Sequence, residues 1–363
     1  MPNKLVNVFD VLIVGGGIIG MLTARHLHSE GYRVAIIEKS NLGGEATLAA
    51  GGILSALNPW KQSAAAQYLI DEGRQNFFSL VEDLKQETNI NSEFIQSGML
   101  VLDVDEKQAA QEWARQNNEV VEILARQSLL EHEVNISPIF KEALYLPNIA
   151  QIRPSKLIDA LQQSLQNNKI DVFENTTVNE LLIETNKVTG TATQNGNLYA
   201  EKVIVCGGAW TKNLFQENSD IDIAPVRGQM LLYKLPNKIL SHIILKDKSY
   251  LIPRQDGHIL CGSTVEHVGF ENTITQAARL TLQNIAHELV PSIAKIKPIK
   301  QWSGLRPGTQ RDVPYICKHP QISGLYINSG HYRHGIIMSI ASARIMTALI
   351  SNSLNTSHIA TYS

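Results

Sequence analysis

Three glycines and one acid carry the clearest chemistry in this sequence. Gly15, Gly17 and Gly20 set out G-x-G-x-x-G, with an additional Gly16 inside it, and Glu38 follows about twenty residues later. Gly15 allows a tight turn, Gly17 lets backbone approach a diphosphate, and Gly20 lets a helix pack closely on a strand. Glu38 can accept hydrogen bonds from both hydroxyls of an adenosine ribose, and its charge repels a 2′-phosphate. The glycines alone are a weak signal, so the flanking elements decide. Residues 11–14 are a short β-branched run that predicts a buried strand, and 18–29 carry helical apolar spacing closed by Gly31. A second apolar run, 34–37, ends in Glu38. Strand, glycine turn, helix and strand together predict a dinucleotide site with the diphosphate on the helix N-terminus, where free N–H groups and about half a positive charge face it. The pattern does not separate FAD from NAD.

Two further stretches invite a flat ligand. Residues 40–60 are crowded with Gly, Ala, Ser and Thr and have one acid, Glu45, and small side chains allow backbone to press against a ring system. The apolar run ending in Gly207 and Gly208 offers a second such approach. His331 and His334 have the i, i+3 spacing of metal ligands, but no third ligand has fitting spacing, so no metal site is expected.

Composition narrows the function class. With 363 residues the chain can bury a large core or two medium ones. Lys and Arg number 32 against 34 Asp and Glu, a balance that gives no electrostatic reason for nucleic-acid binding. Cys206, Cys261 and Cys317 are odd in number and far apart, which excludes a full disulfide framework or a C-x-x-C motif and fits a reducing cytoplasm. Lys4 before an apolar run resembles a signal peptide, but Asp10 interrupts it and no A-x-A site follows. No apolar stretch reaches the ~18 residues of a membrane span; the nearest, 335–350, carries Arg344.

The elements that must position these residues are read from periodicity. Helices are expected over 64–88, 106–125, 128–134, 156–166 and 273–289, and a last one after 335. Strands are expected over 94–103, 143–148, four times between 170 and 205, and over 223–235, 250–254, 258–264 and 325–330. The strand count is too high for one βαβ sheet. The division expected is a discontinuous nucleotide-binding unit, 1–85, 145–221 and 300–363, with a second unit, 86–144 and 222–299, inserted into it. The tail 352–363 is expected to fray.

VLIVGGGIIG with Glu38, EATLAAGG, VIVCGGAW, VRGQM, YLIPRQDG, WSGLRPGT and GHYRHGI, spread over nearly the whole chain, resemble the FAD-dependent D-amino-acid oxidase class, nearest to the glycine oxidases of thiamine biosynthesis. The resemblance implies an α/β fold: a Rossmann-like FAD-binding domain with an inserted α+β substrate domain on an antiparallel sheet. It implies non-covalent FAD held by Gly15, Gly17, Ile18, Ile19, Gly20, Glu38 and Lys39. Thr47, Ala49, Ala50, Gly51 and Gly52 would lie along the flavin. Val178, Gly207, Gly208, Trp210, His331, Arg333, His334, Gly335 and Ile336 would complete the cofactor site. Arg306 would grip the substrate carboxylate, Tyr250 and Arg333 would assist, and Val265 and Lys248, where the sequence departs from the family pattern, would line the pocket.

The implied reaction is hydride transfer from glycine, sarcosine or a small D-amino acid to the flavin. It gives an imino acid and, with O2, hydrogen peroxide. A thiazole synthase partner and a homo-oligomer are implied as well. A quinone-linked dehydrogenase and a flavin-binding subunit of a larger complex are the alternatives.

Overall fold

The strand Val8–Val14 lies between two parallel neighbours, Val34–Ile37 on one side and Gly196–Val205 on the other. Val11, Leu12 and Ile13 are fully buried, which is what an uninterrupted apolar run needs from a sheet covered on both faces. The computed structural model describes residues 8–215, 220–353 and 360–362; Lys4 and most of the expected frayed tail lie outside the described residues.

This first sheet has eight strands. Its main path runs Tyr315–Lys318, Leu325–Ser329, Gly196–Val205, Val8–Val14, Val34–Ile37, Asp171–Phe173. Val178–Glu184 and Lys187–Thr193 extend it as antiparallel strands beside Gly196–Val205. Helices Ile18–Ser29, Ala64–Thr88, Pro154–Asn167 and Gly335–Ile350 share one apolar core with it. The second sheet also has eight strands, in the order Lys300–Gly308, Ala224–Lys234, His258–Gly262, Ser249–Pro253, Ile243–Lys246, Met99–Leu102, Glu142–Leu146, Glu122–Ala125. All its pairings are antiparallel except Ile243–Lys246 with Met99–Leu102. Helix Gln276–Leu289 contributes Leu282, Ala286 and Leu289 to the core on this sheet. Among the described residues no helix is long and apolar enough to cross a membrane.

Two local expectations change. The helix expected over 106–125 stops at Gln116, because Asn118 takes a left-handed φ of 53°. The chain then re-enters as the edge strand Glu122–Ala125, in which Leu124 alone is buried, so no alternation marked it. The strand expected from residue 94 is confined to Met99–Leu102 behind Gly98, whose φ is +67°. WSGLRPGT, with its turn-like Pro and two glycines, is the strand Lys300–Gly308. Its place at the edge of the sheet tolerates Pro307, since a proline there leaves no ladder bond broken. Glu142–Leu146 and Lys300–Gly308 both belong to the second sheet.

Helices Ala64–Thr88 and Gly335–Ile350 meet almost backbone to backbone. A Cβ on Gly73 would come within 1.9 Å of the Ile337 carbonyl oxygen. Gly73→Ala is therefore expected to destabilise the protein by about 1–3 kcal/mol through overpacking. In an unpacked helix the same change would stabilise by about 1 kcal/mol. Urea unfolding decides, and a stabilised variant would show that the two helices part without cost.

Candidate active site

The glycine turn leaves the strand Val8–Val14 at its carboxyl end and opens onto a long cleft. Gly15 has φ +114°, and a Cβ there would lie 2.3 Å from the Cys206 carbonyl oxygen. A Cβ on Gly20 would lie 1.9 Å from the Gly15 carbonyl, so Gly20 sits beneath the turn as a packing contact, off the cleft wall. Gly17 is open: its nearest neighbour would be Thr47 Oγ1 at 3.4 Å. The first intrahelical bond runs from Met21 N to Gly17 O, and Ile18 N donates to Thr47 Oγ1 at 3.1 Å. The helix N-terminus thus presents its remaining N–H groups to the cleft with no acid in its first turn.

Glu38 is 7% exposed. Its Oε2 accepts from Gly16 N at 2.7 Å and its Oε1 from Ser40 N at 2.9 Å, which fixes the carboxylate at the wall. The expected residues Gly15, Gly17, Ile18, Ile19, Glu38 and Lys39 all border the cleft, as do Thr47 and Ala49 to Gly52. So do Val178, Gly207, Gly208 and Trp210, and the segment His331, Arg333, His334, Gly335 and Ile336. One continuous cleft thus joins the glycine turn, the small-residue segment, Arg306 and the start of the last helix.

Arg306 stands at the far end. Its guanidinium lies against the backbone of the neighbouring strand, where a Cβ on Gly228 would fall 2.1 Å from Nη2; the glycine of VRGQM makes room for it. Nη2 donates to Ser263 Oγ at 2.7 Å and Nη1 to the Thr264 carbonyl at 3.2 Å. No carboxylate pairs with it among the described residues. Arg227, on the same strand as Gly228, is by contrast closed by Glu266 at 2.6 Å and Glu271 at 3.3 Å. Burial lowers the Arg306 pKa, with nearby Tyr250 opposing and Arg333 adding to the shift; an arginine stays charged through such changes. Tyr250 is 8% exposed, and a Cβ on Gly51 would lie 3.2 Å from its ring. Arg333 Nη2 is buried with no hydrogen-bond partner.

Val265 and Lys248 do not join this group. Val265 is 38% exposed on the loop that follows the strand His258–Gly262, and its neighbour Glu266 is the residue that turns inward to Arg227. Lys248 is exposed in the turn between Ile243–Lys246 and Ser249–Pro253. Neither borders the cleft; Ser263, Met230 and Gly228 do. Sequence reasoning missed all three, and only the glycine inside VRGQM gave a local sign.

The histidines are held neutral. His331 Nε2 is 2.8 Å from Ser342 Oγ, and burial pushes its pKa down to about 3. Burial first, then Arg333, pushes His334 down to about 4. Among the described residues no group of three or more His, Cys, Asp or Glu could hold a metal ion. Cys317 packs with Ile221, Ile223, Tyr315 and Ile327, outside the cleft lining, and burial pushes its thiol up to about 11.

Comparison with known proteins gives this geometry its relatives. A family model described as FAD dependent oxidoreductase matches residues 10–349. A glycine oxidase of Pseudomonas aeruginosa is 37% identical over 343 residues, 94% of this chain and 94% of that one. The crystal structure of a glycine oxidase from Bacillus cereus superposes with a TM-score of 0.91 at 29% identity, covering 98% of each chain. A bifunctional protein ThiO/ThiG of Synechocystis is 27% identical over 94% of this chain, which spans 51% of that protein.

The neutral histidines have a consequence for stability. Below pH 6.5 the unfolded chain protonates His331 while the folded chain does not, so its stabilisation is complete above about pH 6.5 and is lost as pH falls towards about 3. For this 4%-exposed side chain the expected loss between pH 7 and pH 5 is about 2 kcal/mol. Urea unfolding at the two pH values, in wild type and His331→Asn, measures it; an equal loss in both would reject the assignment.

Proposed function

The chain belongs to the FAD-dependent oxidoreductase family and is an FAD-dependent amino-acid oxidase, and on that premise we propose that it oxidises glycine or a similarly small amine such as sarcosine or a small D-amino acid. The products are the imino acid and, with O2 as acceptor, hydrogen peroxide. One observation carries this reading: Arg306 faces the cleft with a hydroxyl and a carbonyl for partners and no carboxylate of its own. A cation in that state is completed by an anionic ligand, and a guanidinium is a planar two-pronged match for a carboxylate. Tyr250 stands beside it as a hydroxyl that can assist, and Arg333 brings a second cation with an unused N–H.

FAD, when bound, supplies the two-electron acceptor for the hydride leaving the substrate α-carbon. The protein's part is placement, and it needs no side-chain base. His331 and His334 are held neutral with pKa values far below 7, and Glu38 is tied to backbone N–H groups at the ribose end. The substrate ammonium therefore loses its proton to solvent before reaction. Supply of the imine to a thiazole synthase partner completes the proposal, supported by relatives that join a ThiO and a ThiG segment in one chain.

The purified yellow protein, mixed anaerobically with a panel of small amines, is expected to bleach with glycine or its near analogues and to consume O2 on aeration. Bleaching without oxygen uptake would turn the reading towards a quinone-linked dehydrogenase. The reductive rate is expected to rise with pH between 6 and 10 as the substrate amine deprotonates, and a flat profile would count against the mechanism. Arg306→Ala is expected to raise KM by two or more orders of magnitude with FAD retained, following the roughly 3–5 kcal/mol of an uncompensated buried charge. Unchanged saturation kinetics in that variant would remove Arg306 from the substrate site.

A further inference from the structure

A contact that the oxidation itself does not need crosses the cofactor end of the cleft. Lys39 Nζ lies 3.0 Å from the centroid of the Trp210 ring and 3.2 Å from Glu45 Oε1. Trp210 also meets Phe270, with ring centroids 5.6 Å apart and planes inclined by 32°. The topology gives the contact its meaning. Lys39 follows the strand Val34–Ile37, and Trp210 lies in the single 3-10 segment Gly208–Leu214 that follows Gly196–Val205. Those two strands flank Val8–Val14 on opposite sides, and the carboxyl end of Val8–Val14 is the glycine turn. The two side chains therefore meet from opposite flanks at the carboxyl edge of the sheet, the edge at which the glycine turn opens. Lys39, Glu45 and Trp210 all border the cleft.

We propose that Lys39 and Trp210 form a latch across the cofactor end of the cleft, braced from behind by Phe270, and that this latch sets how slowly FAD leaves. An ammonium on an indole face is attracted by the ring's quadrupole, and the same charge favours an anionic cofactor in the cleft. The Lys39–Glu45 pair is about one third exposed on each side, so by itself it holds little; the ring supplies the rest. Phe270 does not border the cleft. It stands on the loop whose Glu266 and Glu271 are ion-paired to the buried Arg227, which gives the brace a fixed footing. The proposal rests on FAD binding in the cleft and not on the identity of the substrate, and its readout is cofactor release, so it stands or falls separately from the oxidation reading.

The experiment dilutes FAD-loaded enzyme to low concentration and follows the fluorescence of released flavin. Lys39→Met, which keeps the apolar stem and loses the charge, is expected to release FAD about 2- to 30-fold faster, the range that a cation–π contact spans between exposed and desolvated settings. Trp210→Phe should accelerate release less than Trp210→Ala, because it keeps a ring face. Phe270→Ala should also accelerate release although the side chain does not touch the cleft. Urea unfolding of each apoprotein runs in parallel. Faster release with unchanged apoprotein stability supports the latch. Release within twofold of wild type in both Lys39→Met and Trp210→Ala overturns it, as does acceleration that appears only alongside an equal loss of apoprotein stability.

Discussion

A half-buried guanidinium without a carboxylate beside it is the constraint around which the proposed substrate end of this protein is built. Burying a charge costs several kcal/mol unless something compensates it, so a fold that keeps Arg306 in this state must hold it firmly and leave it a vacant direction. Both conditions are met by backbone. Gly228 lets the group lie against the adjacent strand, and Ser263 and Thr264 take two of its nitrogens. Arg254 makes the useful contrast. It is 2% exposed and also lacks a carboxylate in contact, yet Gln151, Ile152 and Gly51 supply three oxygen acceptors at 2.6 to 2.9 Å, and burial lowers its pKa to about 10. Its terminal nitrogens make three bonds that stitch chain segments together, with Nε left unpartnered, whereas those of Arg306 make two.

That stitching links the two ends of the site. The Gly51 carbonyl held by Arg254 belongs to the small-residue segment that walls the cleft, and the same segment rests on Tyr250. Tyr250 and Arg254 bracket one strand of the second sheet, Ser249–Pro253, so the wall takes its position from the substrate side. Arg153 adds a clasp, with its Nη1 3.1 Å from Glu93 and 2.8 Å from Asp256. A cofactor seated by the first sheet is thus covered by backbone whose place is set by the second.

At the other end the logic is electrostatic and cheaper. On the proposed reading, a helix N-terminus and an acid fixed by two backbone N–H groups would recognise a diphosphate and a ribose. To these the chain adds a cation and an indole that meet from opposite flanks of the first strand. On the proposed reading, affinity for the cofactor and grip on the substrate draw on different contacts, coupled through the wall that Arg254 and Tyr250 hold.

The sequence by itself determined what short-range physics decides. Helix spacing and its closing glycine marked Ile18–Ser29, a strand at 34–37 was read to the residue, and amphipathic periodicity defined Ala64–Thr88. The glycines, the acid and the distances between them named a dinucleotide, because a single βαβ unit carries all of that site. Tertiary structure decided the rest. Pro307 lies within a strand because that strand is at the sheet's edge, and residues 106–125 read as one helix until Asn118 takes a left-handed φ. Val265 looked like pocket lining, while Gly228 and Ser263, in strands and loops far apart in sequence, occupy that place. Lys39 and Trp210 could be known as partners only from the order of the strands that carry them, and strand order is set by which long-range pairings bury the most apolar surface, a choice that no local window of residues contains.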